Sequence, residues 1–395
     1  MGRRALPGAG RWFPPRRRDG MMPAMTRAFV PSVLALLVAG SAGLSAQTIE
    51  WWQKDLDSAL AAAAEKPAKA ALLYCWKDNH GACADMFSGT LSDPKVATAL
   101  AGHVCVAAKD DAAGKPVLQK YGITSVPTVL MLDAKGAVVD VVTGYVPVAE
   151  FLAELDRIGK GKDTIGALRD QAAAAPADLA LQMKLVRKLR SSGDLKGSAA
   201  VIAAIVAKDP KFASEPAAEA KLLEICDQTF RVDVPPQDVD LKALRSFLAA
   251  QKNKRVLFLG YDRLAGAEHR RPNLKAAAEA AGKAWKNVPP DQVIAYGQNL
   301  AGKAYENHEA LAKIDKGLLK EALDVSKKAL DEVEKRHKTS PDGPYLASAL
   351  YLHAALQVVN NQRKEAFAAM DRAMALNPKD ENLKKAKDRW LDGSK

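Results

Sequence analysis

Cysteine is scarce in this chain: four residues, Cys75, Cys83, Cys105 and Cys226, among 395, and no two of them stand as Cys-x-x-Cys. The six histidines include no His-x-x-x-His. Structural zinc needs four converging ligands, and nothing in the spacing of His80, Cys83, His103 and Cys105 makes them converge; no metal and no cofactor is expected. Long apolar runs are lacking too. The one apolar stretch near the start, Phe29 to Val38, is soon broken by Gly and Ser and is too short to span a membrane comfortably.

Acid is lacking at the N-terminus. The formal charge is +12, yet the first 46 residues hold seven arginines against one acid, Asp19, and the remainder carries only +6. So modest an excess over a chain of this size sets nucleic-acid binding aside. Residues 25–46 show the three parts of a secretory signal: Arg27, the Phe29–Val38 run, and small residues at Gly40, Ala42 and Ala46. Cleavage is expected after Ala46 or Ala42, with an uncleaved anchor as the alternative and the only membrane partner. Residues 1–24, with Met21, Met22 and Met25 as further starts, read as an overlong start or extended n-region. The expected location is exported, periplasmic or secreted, where disulfides are permitted.

A length of 395 residues implies two domains, read as 47–160 and 161–395 behind a 1–46 extension. Residues 49–160 carry a mixed βαβ pattern. Trp51, Trp52, Leu56, Leu60 and Ala64 have helical spacing up to Pro67, the tryptophans being expected to pack on a sheet edge. Ala70–Trp76 suits a buried parallel strand. A helix containing Cys83 and Met86 follows, then one with Asp93 as N-cap and Pro94 at its first position. Val104–Ala107 reads as a second central strand. Thr128–Leu132 and Ala137–Val142 flank a hairpin turn, Val148 to Ile158 make one apolar helical face, and Gly159–Lys162 is a linker.

Residues 74–94 resemble the active-site turn of the thioredoxin-like family. Exported members read Trp-Cys-x-x-Cys-x-x-Met, then Thr-Phe-Ser-Asp-Pro and a valine. Cys83, Met86, Thr90, Ser92, Asp93, Pro94 and Val96 stand at those offsets, and the first cysteine falls on His80. Ser125-Val126-Pro127-Thr128, after Lys120-Tyr121-Gly122-Ile123, resembles the family's cis-proline segment. The resemblance implies an α/β thioredoxin fold, a central mixed sheet flanked by helices. It implies a cis Pro127 and a peptide groove beside Trp76, Val126 and Pro127. It also places Tyr74 where many members keep a buried acid that assists proton transfer.

From 164 onward the pattern is Ala/Leu/Lys-rich and helical, without a convincing strand. Helices are expected over 179–191, 195–207, 214–228, 239–252, 272–285, 290–306, 318–335, 344–360 and 362–376. The last pair resembles a tetratricopeptide repeat, with Glu365, Ala366, Met370, Ala373 and Pro378 at that motif's offsets and a turn at Asn360-Asn361. No regular register survives between the first pair and the last. An all-α domain of helical hairpins, solenoid-like, is expected, with a non-repetitive bundle as the alternative. Cys226 is expected in the core beside Leu222 and Leu223. His269, His308, His337 and His353 are expected at the surface or at caps, and Lys252–Arg255 and Arg270-Arg271 on solvated faces.

Dithiol exchange needs an exposed low-pKa thiolate at a helix start and a second thiol to release the mixed disulfide. His80 cannot form that bond, and at a helix N-terminus it is expected to be neutral. Three readings stand. The first is a degenerate site, His-Gly-Ala-Cys, that binds extended peptide or protein, or assists envelope assembly. The second is a single-thiol or peroxide-sensitive site in which His80 serves as base to Cys83. The third is a thiol-disulfide oxidoreductase in which Cys75, or Cys105, replaces the missing sulfur. Strand cysteines behave as small hydrophobes more often than as redox groups.

Overall fold

The computed structural model describes residues 48–49, 51–52, 55–65, 70–231, 233–339 and 341–392. The signal-like segment lies outside them. The chain forms two compact units, dividing after Ser198, which is beyond the linker at 159–162.

The first unit runs β1 (Trp51–Trp52), α1 (Leu56–Glu65), β2 (Ala70–Trp76), α2 (Gly81–Asp85), a π-helical turn (Met86–Thr90), α3 (Pro94–Ala99) and β3 (Val104–Lys109). It continues α4 (Lys115–Lys120), β4 (Thr128–Asp133), β5 (Val138–Thr143), α5 (Val148–Gly159), α6 (Ile165–Ala174) and α7 (Leu179–Ser191). The sheet order is β1-β3-β2-β4-β5. β3 runs parallel to β1 and β2, while β4 runs antiparallel to β2 and β5. This is a thioredoxin-like α/β unit. Trp51 and Trp52 begin the edge strand where helical spacing was expected; the helix starts only at Leu56, after the side chain of Asp55 has taken the Ser58 N–H.

Alternation along β2 divides the core. Leu73 and Cys75 face α1 and α4, among Leu56, Leu60 and Leu118. Leu72 and Tyr74 face the other way, among Met86, Cys105 and Phe151. Successive strand side chains must point to opposite faces, so Tyr74 and Cys75 are separated by the sheet itself. The hairpin forms as expected. Asp133 Oδ1 accepts from the N–H groups of Lys135 and Ala137, and Gly136 takes the left-handed φ of 79°.

Asp140 on β5 is fully buried. Its carboxylate meets Arg157 Nη2 of α5 at 2.5 Å and Lys188 Nζ of α7 at 2.5 Å, and accepts the Val141 N–H. One carboxylate therefore fastens two helices to the sheet. The turn after α7 lies so close to the turn after α4 that a Cβ on Gly193 would stand 2.1 Å from the Tyr121 carbonyl oxygen.

α8 (Leu195–Lys208) crosses the division, and the second unit consists of helices: α9 (Glu215–Thr229), α10 (Lys242–Ala250), α11 (Lys254–Arg270), α12 (Leu274–Trp285), α13 (Val293–Glu306) and α14 (His308–Ile314). α15 (Lys316–Thr339), α16 (Gly343–Val359), α17 (Arg363–Leu376) and α18 (Glu381–Asp392) complete it. The hairpin α16–α17 turns at Asn361, whose φ is +62°, with Ala366, Met370 and Ala373 buried against α16. α11 is the chief departure from the sequence reading. Lys252 and Lys254 are exposed as expected, and Asn253 between them caps α11 by accepting the Val256 N–H. Gly260 argues locally against a helix, but a Cβ there would stand 2.3 Å from a Leu248 methyl, so packing against α10 requires it. Cys226 is buried with Leu222 as expected. His353 is corrected from surface to core: it is 6% exposed, and its Nδ1 lies 2.8 Å from Ser326 Oγ on α15.

Candidate functional site

β2 delivers Tyr74, Cys75 and Trp76 to the C-terminal edge of the sheet. The chain then turns through Asn79, at φ 54°, and enters α2 with His80 as N-cap. The His80 carbonyl accepts the N–H groups of Cys83 and Ala84, both at 3.0 Å, but its side chain makes no capping bond. The ring is half-buried and its Nδ1 has no hydrogen-bond partner among the described residues. Burial lowers the His80 pKa first, and the Lys77 charge lowers it further. The sequence reading assigned this effect to the helix dipole. α2 is only five residues long before it widens into the π turn, so burial and Lys77 take that role.

Cys83 sits one turn into α2 and is 2% exposed. Burial raises its thiol pKa, opposed by the Lys77 N–H, the Lys77 charge and the Tyr74 hydroxyl. Tyr74 is fully buried and donates to the Cys83 carbonyl at 2.9 Å. Its own pKa is raised, chiefly by burial, so it offers no base beneath the sulfur. Cys75 is fully buried, its thiol pushed up to about 12 by desolvation. It lies on the opposite sheet face from Tyr74 and hence from the α2 side. All four cysteines are buried, and no disulfide joins any two of them. A thiolate at Cys83 has no second sulfur at position 80 to release a mixed disulfide.

The Val126–Pro127 peptide bond is cis. The Pro127 carbonyl accepts the Gly144 N–H at 2.8 Å, and the Ser125 carbonyl accepts Thr128 Oγ1 at 2.8 Å. Between them Val126 packs its side chain into the α1 face of the core, while its N–H and carbonyl make no hydrogen bond among the described residues. Because Cys75 pairs with Thr128 across β2 and β4, Pro127 follows where Trp76 leaves the sheet. Trp76 is half-buried, with Lys109 Nζ 5.6 Å from its ring centre and held by Asp78 at 2.5 Å.

Sequence reasoning missed Phe87. It projects from the π turn, 49% exposed, and stacks on Trp51 at 6.1 Å; Trp51 in turn lies 6.1 Å from Tyr74. The π turn closes by a bond from the Leu91 N–H to the Met86 carbonyl at 2.8 Å. Ser88-Gly89 beside Met86 was the one available sign that a regular helix would not continue. Among the described residues no three of His, Cys, Asp and Glu gather as a metal site, and no helix is long and apolar enough to cross a membrane.

Residues 56–159 match the family described as thioredoxin-like domain. Similar solved structures include a thioredoxin from Thermus thermophilus, 28% identical, covering 28% of this chain and 87% of that one with a TM-score of 0.25. A DsbH oxidoreductase is 14% identical, covering 32% of this chain and 94% of its own, with a TM-score of 0.27. No curated relative matches the chain.

Proposed function

We propose that the thioredoxin-like unit binds extended polypeptide along the Val126–Pro127 edge and performs no dithiol exchange, Cys83 being confined to single-thiol chemistry. The supporting observation is an unpaired main-chain edge at Val126 near an α2 start where imidazole stands in place of sulfur. An extended peptide supplies the carbonyl and N–H such an edge lacks. The exposed ring of Phe87 adds an apolar contact for a peptide side chain. The Arg27, Phe29–Val38 and Ala42–Ala46 pattern supports export, and with it a role among periplasmic or secreted proteins, envelope assembly included. The small residues Ala366 and Ala373 at the α16–α17 contact support a tetratricopeptide-like reading of that hairpin as a further protein-binding element.

The test is fluorescence titration with a permanently unfolded, carboxymethylated polypeptide, alongside insulin reduction with dithiothreitol. Binding is expected in the parent and in Cys83→Ala, and about tenfold weaker in Val126→Pro, which removes the N–H donor. Insulin turnover that disappears in Cys83→Ala, or peptide binding that needs the thiol, overturns the proposal in favour of an oxidoreductase.

A further inference from the structure

Within the helical unit, α11, α12 and α13 line a cavity of about 330 Å³ that is open on one side to solvent, within the size range of small-molecule sites. Its wall includes Leu274, Ala277, Ala278 and Ala281 of α12 with Leu300 and Ala304 of α13. Close-packed helices leave such space only where side chains are as small as these alanines.

The cavity also carries charge. Arg263 and Arg270 of α11 and Lys303 of α13 line it, against a single acid, Asp262. Among the described residues none of these three cations forms an ion pair, and the Asn299 amide makes no hydrogen bond. Elsewhere in the unit some basic residues are matched, Arg245 with Glu268, Arg255 with Glu219 and Lys221 with Glu224. Asp262 is itself exposed, and the charges of Arg263 and Lys303 both act on its carboxyl. The lining is therefore net cationic over an apolar floor. Helical walls satisfy their own backbones and offer no strand edge to an extended peptide, unlike Val126.

We propose that this cavity binds a free organic carboxylate with an apolar tail, an acyl or aryl acid. Its carboxylate takes Arg263, Arg270 and Lys303, where charge-assisted bonds orient it, and its tail lies on the alanine and leucine wall. A helical unit of this kind would answer to a small amphipathic anion independently of what the thioredoxin-like unit binds.

The full chain is titrated by calorimetry with octanoate, with octanamide as its neutral counterpart, and with N-acetyl-leucyl-leucine as a carboxylate at a peptide end. Saturable octanoate binding is expected, about tenfold weaker in Arg270→Gln and in Lys303→Gln, with octanamide weaker by at least as much. Ala278→Leu, which fills space without touching a charge, is expected to abolish binding. Circular dichroism identifies the variants that fold, and the two glutamine variants sit on exposed positions, so at least one comparison survives. The proposal is overturned by no octanoate binding, by octanamide or the peptide acid binding as tightly, or by undiminished binding in folded Ala278→Leu.

Discussion

The Tyr74 hydroxyl donates to the Cys83 carbonyl across 2.9 Å, so the residue beneath the thiol holds the helix and takes no proton from the sulfur. A carboxylate there would accept one; a phenol with a raised pKa cannot. Together with His80 at the N-cap, this leaves Cys83 with neither a base below it nor a partner sulfur above it.

Tyr74→Phe removes one of two donors to the Cys83 carbonyl, which keeps the Met86 N–H. Losing a single such bond costs about 0.5–1.5 kcal/mol, and urea denaturation is expected to show a loss in that range. A neutral or stabilising effect would mean that the hydroxyl does not anchor α2.

His80→Cys restores two sulfurs at the family's spacing. The variant is expected to form a disulfide with Cys83 under air and to gain insulin-reduction turnover that the parent lacks. If thiol counting shows that this variant keeps both thiols free under an oxidising glutathione buffer, the assignment of position 80 to the nucleophile's place is wrong.

The His80 proton is expected to come off below the ordinary 6.5, since burial and Lys77 both disfavour the cation. The unfolded chain then binds more protons just below pH 6.5, so this group's contribution to stability is present above that value and is lost as pH falls through the folded pKa. Ring-proton NMR titration reads the midpoint, and Lys77→Gln should raise it; a midpoint above 6.5 contradicts the site geometry.

Cys75 works in the alkaline direction. Its folded thiol is pushed up from 9.0 to about 12, so between those values the unfolded chain has lost a proton that the folded chain keeps. Stability therefore falls as pH rises, by about 1.4 kcal/mol per pH unit from this group. Comparing urea midpoints at pH 8 and 10.5, the parent is expected to lose about 2 kcal/mol more than Cys75→Ala. Equal losses would place the sulfur in contact with solvent.

Asp140→Asn leaves Arg157 and Lys188 facing a neutral amide with both helices still packed. Removing one partner of a buried ion pair costs about 3–5 kcal/mol, and thermal unfolding of the first unit should reveal it. Asp140→Asn with unchanged stability would show that packing alone fastens α5 and α7.

The site was partly legible. Cys83, Met86, Thr90 and Asp93–Pro94 are local features whose spacing locates a helix entry without reference to distant residues, and the Asp93 cap on Lys95 is where the pattern put it. Phe87 was not legible, because its exposure depends on a π turn that regular helical spacing does not encode. α11 was hidden for a related reason: two glycines and a run of four apolar residues obscure its period, and only the approach of Leu248 explains Gly260.

The succession β2, α2, α3, β3, β4, β5, α5 in the first unit, the helical character of the second and a histidine three residues ahead of Cys83 were determined by sequence alone, since they rest on residue type and short periodicity. The tertiary structure decided which sheet face each cysteine occupies, that Val126 keeps its main chain unpaired, that His353 reaches Ser326 from another helix, and that alanines on α12 leave a cavity under unpaired cations. Those outcomes depend on what distant segments place opposite each residue, and no local pattern records its neighbour across the core.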